Sequence, residues 1–146
     1  MNLSKKLKEL ILSDDILIMP DAYDAIGAKL IEKTGYKAVQ CSGYSISLSQ
    51  QISNEKKLSL KNNLNITSQI IEATNLPVMA DGENGYGNGQ ELVDAIDNFI
   101  NIGIAGINIE DQNFSQTTDN KIIDLNLMLD KIRTVKDTIN NSKNRD

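Results

Sequence analysis

The stretch PVMADGENGYGNG, Pro77 to Gly89, decides how this chain is read. It opens as an apolar strand, passes two carboxylates at Asp81 and Glu83, and places Gly82, Gly85, Gly87 and Gly89 within eight residues. A short apolar strand running into a loose glycine-rich turn and then a helical pattern marks a strand-to-helix junction in an α/β layer. Two uses of the acids stand open. They bind a ligand, or they cap the following helix and its loop as ordinary solvated charges.

Working outward, short apolar runs alternate with segments of helical period. Leu3, Leu7, Leu10 and Ile11 fall on one face of a leading helix. "ILIM" (16–19), "AVQC" (38–41), "PVMA" (77–80) and "GINI" (106–109) read as four buried strands. Between them, Ile26, Leu30 and Ile31 mark a helix stopping at Gly35, and Ser59 caps one carrying Leu60, Leu64, Thr67 and Ile71. Leu92, Ile96, Phe99 and Ile100 form the inner face of a helix ending at Gly103, and Asp124 opens a last one with Leu125, Met128, Ile132, Val135 and Ile139. The pattern predicts one α/β domain over residues 1–146, a leading helix followed by four β/α units with parallel strands. A doubly wound sheet and part of a (β/α)8 barrel both satisfy it.

Each predicted strand delivers polar residues at its C-terminal end: Asp21 and Asp24, then "SGYSIS" (42–47), then "DGENGYG" (81–87), then Glu110 and Asp111. That end is where parallel α/β folds bind ligands. Asp81, Glu83 and Glu110, with Asp111 beside them, would converge as an oxygen-rich site of the kind hard cations such as Mg²⁺ prefer. "SGYS" either offers backbone N–H groups and hydroxyls to an anion or is a plain turn. Cys41 reads as a buried, inert thiol. "GYGNG" lacks the lysine and spacing of a phosphate-binding loop.

Composition narrows the chemistry. The 146 residues hold 20 acids against 15 bases, a formal net charge of -5, and no basic cluster suited to nucleic acid. Histidine is absent and Cys41 is the single cysteine, which argues against zinc sites and Ser-His-Asp machinery and rules out a disulfide within the chain. No apolar run has the length of a membrane span, and Glu9, Asp14 and Asp15 interrupt anything like a signal peptide. The expectation is a soluble cytoplasmic protein.

Taken together, "PDAYDAIGAKLIEKTGYKAV", "SGYSIS", "VMADGENGYGNG" and "AGINIEDQ" resemble, in order and spacing, the isocitrate lyase/phosphoenolpyruvate mutase superfamily, in particular its phosphoenolpyruvate phosphomutase-like branch. The resemblance covers nearly the whole chain. It implies the N-terminal half of a (β/α)8 (TIM) barrel, dependence on Mg²⁺ or Mn²⁺, and small α-keto or carboxylic acid substrates whose C–C or P–C bonds are cleaved or formed. It implies further that Asp81 contacts the metal directly, that Glu83 and Glu110 hold metal-bound waters, and that these three acids are the catalytic set. Ser42, Gly43 and Tyr44, with Asp81, match the family's substrate-binding positions.

The chain also departs from that pattern. Glu83 stands where many members have aspartate, and Ser53 or Asn54 lies where the loop after the second strand is expected to carry one. The lyase branch has a Lys-Arg-Cys-Gly-His loop after strand four; here the region reads "QNFSQTTDNK", without cysteine or histidine, so isocitrate or methylisocitrate lyase activity is not expected. The mutase and hydrolase branch often has an asparagine there, for which Thr118 is the nearest match and Asn120 lies two places on. A full barrel needs roughly 250 residues, and "NNSKNRD" (140–146) falls where strand five should begin. Half a barrel leaves open sheet edges and an uncovered inner face, so strand residues such as Ile18, Val39, Val78 and Ile107 lead to the expectation of a homo-oligomer or a complementary C-terminal half-barrel. Three readings result: a Mg²⁺-dependent enzyme, a non-catalytic half-barrel that keeps the metal and carboxylate site, and a doubly wound nucleotide-binding domain. The last lacks a glycine-rich phosphate loop after its first strand.

Overall fold

The computed structural model describes residues 2–114 and 121–143. In chain order these form α1 (Leu3–Ile11), α2 (Ala25–Lys33), β1 (Val39–Gln40), α3 (Gly43–Ser49), a 3-10 turn (Glu55–Lys57), α4 (Leu60–Ala73), β2 (Val78–Asp81), α5 (Gln90–Asn101), β3 (Gly106–Asn108) and α6 (Leu125–Lys143). The strands are parallel in the order β1-β2-β3, with Val39 opposite Val78, Met79 opposite Gly106 and Asp81 opposite Asn108. On the free side of β1, Asp21 bridges Gln40 in parallel. Four consecutive segments therefore lie side by side in sequence order. A doubly wound sheet reverses that order and returns a later strand beside the first, so this is the wall of a partial barrel.

The first predicted strand needs correction. Ile16–Met19 forms no strand; pairing begins only where the Gln40 N–H donates to Pro20 O at 3.0 Å and the Ala22 N–H to Gln40 O at 2.8 Å. Ile16 and Ile18 are 91% and 61% exposed, because no described helix or second strand covers this edge. The polar turn at 42–47 is also more ordered than expected. It is the first part of α3, with Ser42 as an extended N-cap, drawn into helix because Ile46 is fully buried in the cluster with Val39, Leu58 and Ile70.

The other helices start and stop for the reasons read from the sequence. The Gly27 N–H donates to the Asp24 carboxylate at 2.6 Å and the Asn62 N–H to Ser59 Oγ at 3.2 Å. Gly35 and Gly103 follow α2 and α5 at φ of 91° and 89°, a left-handed backbone that glycine adopts without strain. On α4 the buried stripe is Asn63, Thr67 and Ile70, turned about one residue from the expected one. The α6 helix runs on through residues 140–143, where the sequence suggested the approach to a fifth strand.

Two apolar clusters join helices to sheet. Val39, Val78, Ile31 and Ile70 pack beneath α2 and α4, and Leu92, Ile96 and Val135 join α5 to α6. Val39 and Val78 are thus buried on the helix side, not left open. By register Gln40, Met79, Asp81 and Asn108 share the opposite, inner face. That face is partly covered, since Leu7 of α1 closes over its lower end: a Cβ on Gly106 would stand 2.9 Å from Leu7 Cδ2. Among the described residues no helix is long and apolar enough to cross a membrane.

Candidate active site

The site is built on Asp81, the last residue of β2, which is 7% exposed. Its Oδ2 accepts from the Gly43 N–H at 2.9 Å; its Oδ1 accepts from the Glu83 N–H at 2.9 Å and from Asn108 Nδ2 at 3.2 Å. Its carbonyl accepts from Asn63 Nδ2 at 2.9 Å. The start of α3, the loop after β2 and the end of β3 therefore fix the carboxylate, and α4 holds the backbone beneath it. Gln40 extends the network, donating from Nε2 to Asn108 Oδ1 at 3.2 Å.

Glu83 follows in the loop. Its backbone is left-handed at φ 50°, an arrangement that costs a non-glycine residue about 1–2 kcal/mol. Gly82 permits the crossing, because a Cβ there would press on Ile109, Ile107 and the Asn108 carbonyl. The Glu110 N–H donates to Glu83 O at 2.7 Å, which ties the loop to the end of β3 and sets the two glutamates side by side. The Glu83 side chain is 2% exposed, and its Oε1 has no hydrogen-bond partner. Burial, then Asp81, Glu110 and Glu55, push its carboxyl up to about 8. Burial and Asp81 also raise Glu110, while a 2.7 Å bond from Gln112 Nε2 to its Oε2 opposes the rise. Burial and the charge of Asp81 thus disfavour the ionised form of both glutamates.

The structure brings together Asp81, Glu83, Glu110 and Gly43, as the sequence suggested. Ser42 is adjacent, but its N–H donates to Asp21 Oδ1 at 2.8 Å. Tyr44 follows Gly43 in the first turn of α3 and is 60% exposed. Asp24 is a helix cap, and Asp111 is exposed. Cys41 is buried, its thiol pushed up to about 12 mainly by burial, in keeping with an inert group. Thr118 and Asn120 lie outside the described residues.

Several participants escaped the sequence reading. Asn63 donates both to Asp81 O and to Tyr86 Oη, the latter at 2.8 Å, and is held in turn by Thr67 Oγ1 at 3.0 Å. Asn108 is a polar residue inside an apolar strand run, and that interruption was a usable signal. Glu55 comes from the loop where the resemblance led to an aspartate at 53 or 54, and it acts on both glutamates. The neighbouring Lys56 lies over the Phe114 ring at 5.4 Å, joining the loops after β1 and β3.

Among the described residues, no three His, Cys, Asp or Glu side chains enclose a cation directly. The donors that are present still suit a magnesium-like ion. They are oxygens only, the ligand type Mg²⁺ takes, and one of them is buried without a partner.

A parallel β/α barrel wall with acids gathered at its C-terminal end defines a class of small-molecule site. A family model described as phosphoenolpyruvate phosphomutase matches residues 7–145, and the chain belongs to that family. The isocitrate lyase of Haloferax volcanii is 34% identical over 110 residues, which are 75% of this chain and 32% of the lyase. A phosphoenolpyruvate phosphomutase structure from Streptomyces platensis subsp. rosaceus superposes with a TM-score of 0.84 at 25% identity, over 92% of this chain and 49% of that one. A phosphonopyruvate hydrolase, in complex with oxalate and Mg²⁺, gives a TM-score of 0.87 at 22% identity, over 94% of this chain and 48% of the other. The chain thus spans half or less of the length of these relatives.

Proposed function

We propose that the chain carries the metal- and carboxylate-binding half of a Mg²⁺-dependent enzyme acting on C–C or P–C bonds of small α-keto or carboxylic acids, of phosphoenolpyruvate- or oxaloacetate-like shape. The observation that carries this reading is the environment of Asp81: a carboxylate fixed by three N–H donors, with Glu83 and Glu110 beside it, both raised by burial and then by Asp81. Family membership supports the substrate class, as does the hydrolase relative that holds oxalate and Mg²⁺.

In this account Asp81 would contact the metal directly, and Glu83 and Glu110 would hold waters bound to it. Mn²⁺ satisfies the same donors. When bound, the metal supplies Lewis-acid stabilisation of negative charge on the substrate's keto oxygen. The chain's own part is orientation. Gly43 holds Asp81 in place, and Tyr44 opens the first turn of α3, where backbone N–H groups have no carbonyl inside the helix to meet. With the Gly43 N–H taken by Asp81 and the Ser42 N–H by Asp21, the Tyr44 N–H and the Ser42 hydroxyl would receive the substrate carboxylate.

A second reading is favoured by a specific observation. Ile16 and Ile18, in the segment leading to the sheet's first edge at Asp21, are exposed, and so largely are Ile26 and Leu30 on α2. At the other end, β3 and α6 bound an apolar groove of about 320 Å³ lined by Ile107, Ile109, Ile132 and Ile139, away from the acids. These surfaces fit a half-barrel that binds metal and carboxylate but turns over substrate only when a second half, from another copy or another chain, completes it. Titrating oxalate with Mg²⁺ present and with chelator present tests the shared part of both readings. Binding only with Mg²⁺ supports them; no binding in either condition opposes both.

A further inference from the structure

Lys131 lies on α6, on the buried stripe with Val135 and Thr138, and is only 5% exposed. An aliphatic residue would serve the packing of α6 on α5 as well, and a cation kept there is costly unless it makes specific bonds. It makes two. Nζ donates to Asn84 O at 2.8 Å and to Gly87 O at 2.6 Å. Both carbonyls belong to the loop between β2 and α5 that carries Glu83, more than forty residues earlier in the chain.

That loop has little regular structure of its own. Glu83, Gly85, Tyr86, Gly87 and Gly89 all have positive φ. Its internal ties are a Gly85 N–H to Gly82 O bond at 2.8 Å and a Tyr86 N–H to Asn84 Oδ1 bond at 3.1 Å. From outside, Glu83 is held by its N–H, which donates to Asp81 Oδ1 at 2.9 Å, and by its carbonyl, which accepts from the Glu110 N–H at 2.7 Å. Beyond it, Asn63 grips the Tyr86 hydroxyl and Lys131 grips the backbone on both sides of Gly85 and Tyr86. Lys131 is not among the groups that perturb Glu83 or Glu110, so it does not serve as their counter-charge. Its influence passes through the backbone.

We infer that Lys131 is a positioning residue, a clamp from α6 that holds the glycine-rich loop in the one arrangement presenting Glu83 to the cation beside Asp81. The inference deepens the proposed function and rests on it for the cation, though not for the clamp. An unclamped loop would still leave β2 packed in the first apolar cluster and α5 packed on α6 in the second. Losing the clamp would loosen the segment from Asn84 to Gly87 that follows Glu83, and with it the direction in which the Glu83 side chain is presented.

The full chain, with Mg²⁺ alone as the probe, tests this in three measurements on wild type, Lys131→Met and Asp81→Ala. These are calorimetric Mg²⁺ affinity, amide hydrogen exchange at residues 82–89, and thermal unfolding. Lys131→Gln, polar but too short to span both carbonyls, is measured alongside in case the methionine variant does not fold. The expected result is cooperative unfolding close to wild type, faster exchange in 82–89 alone, and Mg²⁺ affinity weakened about 10–100-fold, the range for an outer-shell support of a metal site. Wild-type exchange in the loop, or wild-type Mg²⁺ affinity in a folded variant, overturns the inference. Should Asp81→Ala bind Mg²⁺ like wild type, the cation reading fails instead, and the exchange measurement still decides whether Lys131 holds the loop.

Discussion

Gly43 and Glu83 share one volume: a Cβ on Gly43 would overlap Oε1 of Glu83 and crowd its carboxyl carbon. The buried carboxylate lies against bare backbone at the start of α3, in space that any side chain at position 43 would take. Gly43→Ala is therefore expected to leave the fold intact, because Gly43 has an ordinary helical backbone, while Glu83 is turned out of place. The predicted outcome is a folded protein with Mg²⁺ affinity reduced about 10–100-fold, measured by calorimetry beside circular dichroism. Undiminished affinity would show that the packing of Glu83 against Gly43 does not matter to the site.

Glu83 also makes the metal-free chain sensitive to pH. Its carboxyl keeps its proton to about 8 in the folded state, against an ordinary value of 4.5 when unfolded. Between those values the folded state binds more protons, so the contribution of this group to stability falls as pH rises and is fully lost above about 8. Glu83→Gln removes the ionisation while keeping the size. In chelator, the melting temperature of the variant is expected to gain on wild type as pH rises from about 5 to about 9. The same variant should bind Mg²⁺ more weakly. Parallel melting curves across that range would contradict the burial of an ionisable group there.

The parallel alternation and the acids at Asp81, Glu83 and Glu110 were legible because they follow simple periodicities and sit where strands end. Ile16–Met19 was misleading. Its apolarity is that of a covered strand, yet the described residues provide nothing to cover it. Helix α3 was missed because a run of serines, tyrosine and glycine carries no strong helix signal, and one buried side chain, Ile46, decides it. Asn63 and Lys131 were invisible for a related reason. Each is a polar residue on a helix's buried face, and only the tertiary structure shows which carbonyl or hydroxyl it meets.

Cys41 offers a test of the core beneath the site. With no exposure and its thiol pushed up to about 12, it should resist an aromatic disulfide reagent in the folded protein at pH about 8 and react once denaturant is added. Rapid labelling without denaturant would mean that β1 opens readily and that the site above it is not preorganised.

The exposed apolar residues at both ends of the sheet predict self-association. Ile18, Ile26 and Leu30 lie toward one end, and Leu125 and Ile132 toward the other. Apolar surface of that extent recruits partners. Sedimentation velocity at micromolar concentration should show species larger than 16.1 kDa. Replacing Ile26 and Leu30 with lysine should shift the distribution toward monomer. A monodisperse monomer in the unaltered chain would contradict this.

The central claim, that the acids at the ends of β2 and β3 form a cation site organised by Asp81, is tested most directly by titrating Mg²⁺ into wild type and Asp81→Ala, each shown to be folded by its melting transition. The account predicts saturable binding by wild type and, with the direct ligand gone, binding lost or weakened at least about tenfold in the variant. Equal affinities in the two folded proteins, or no binding by wild type, would contradict it.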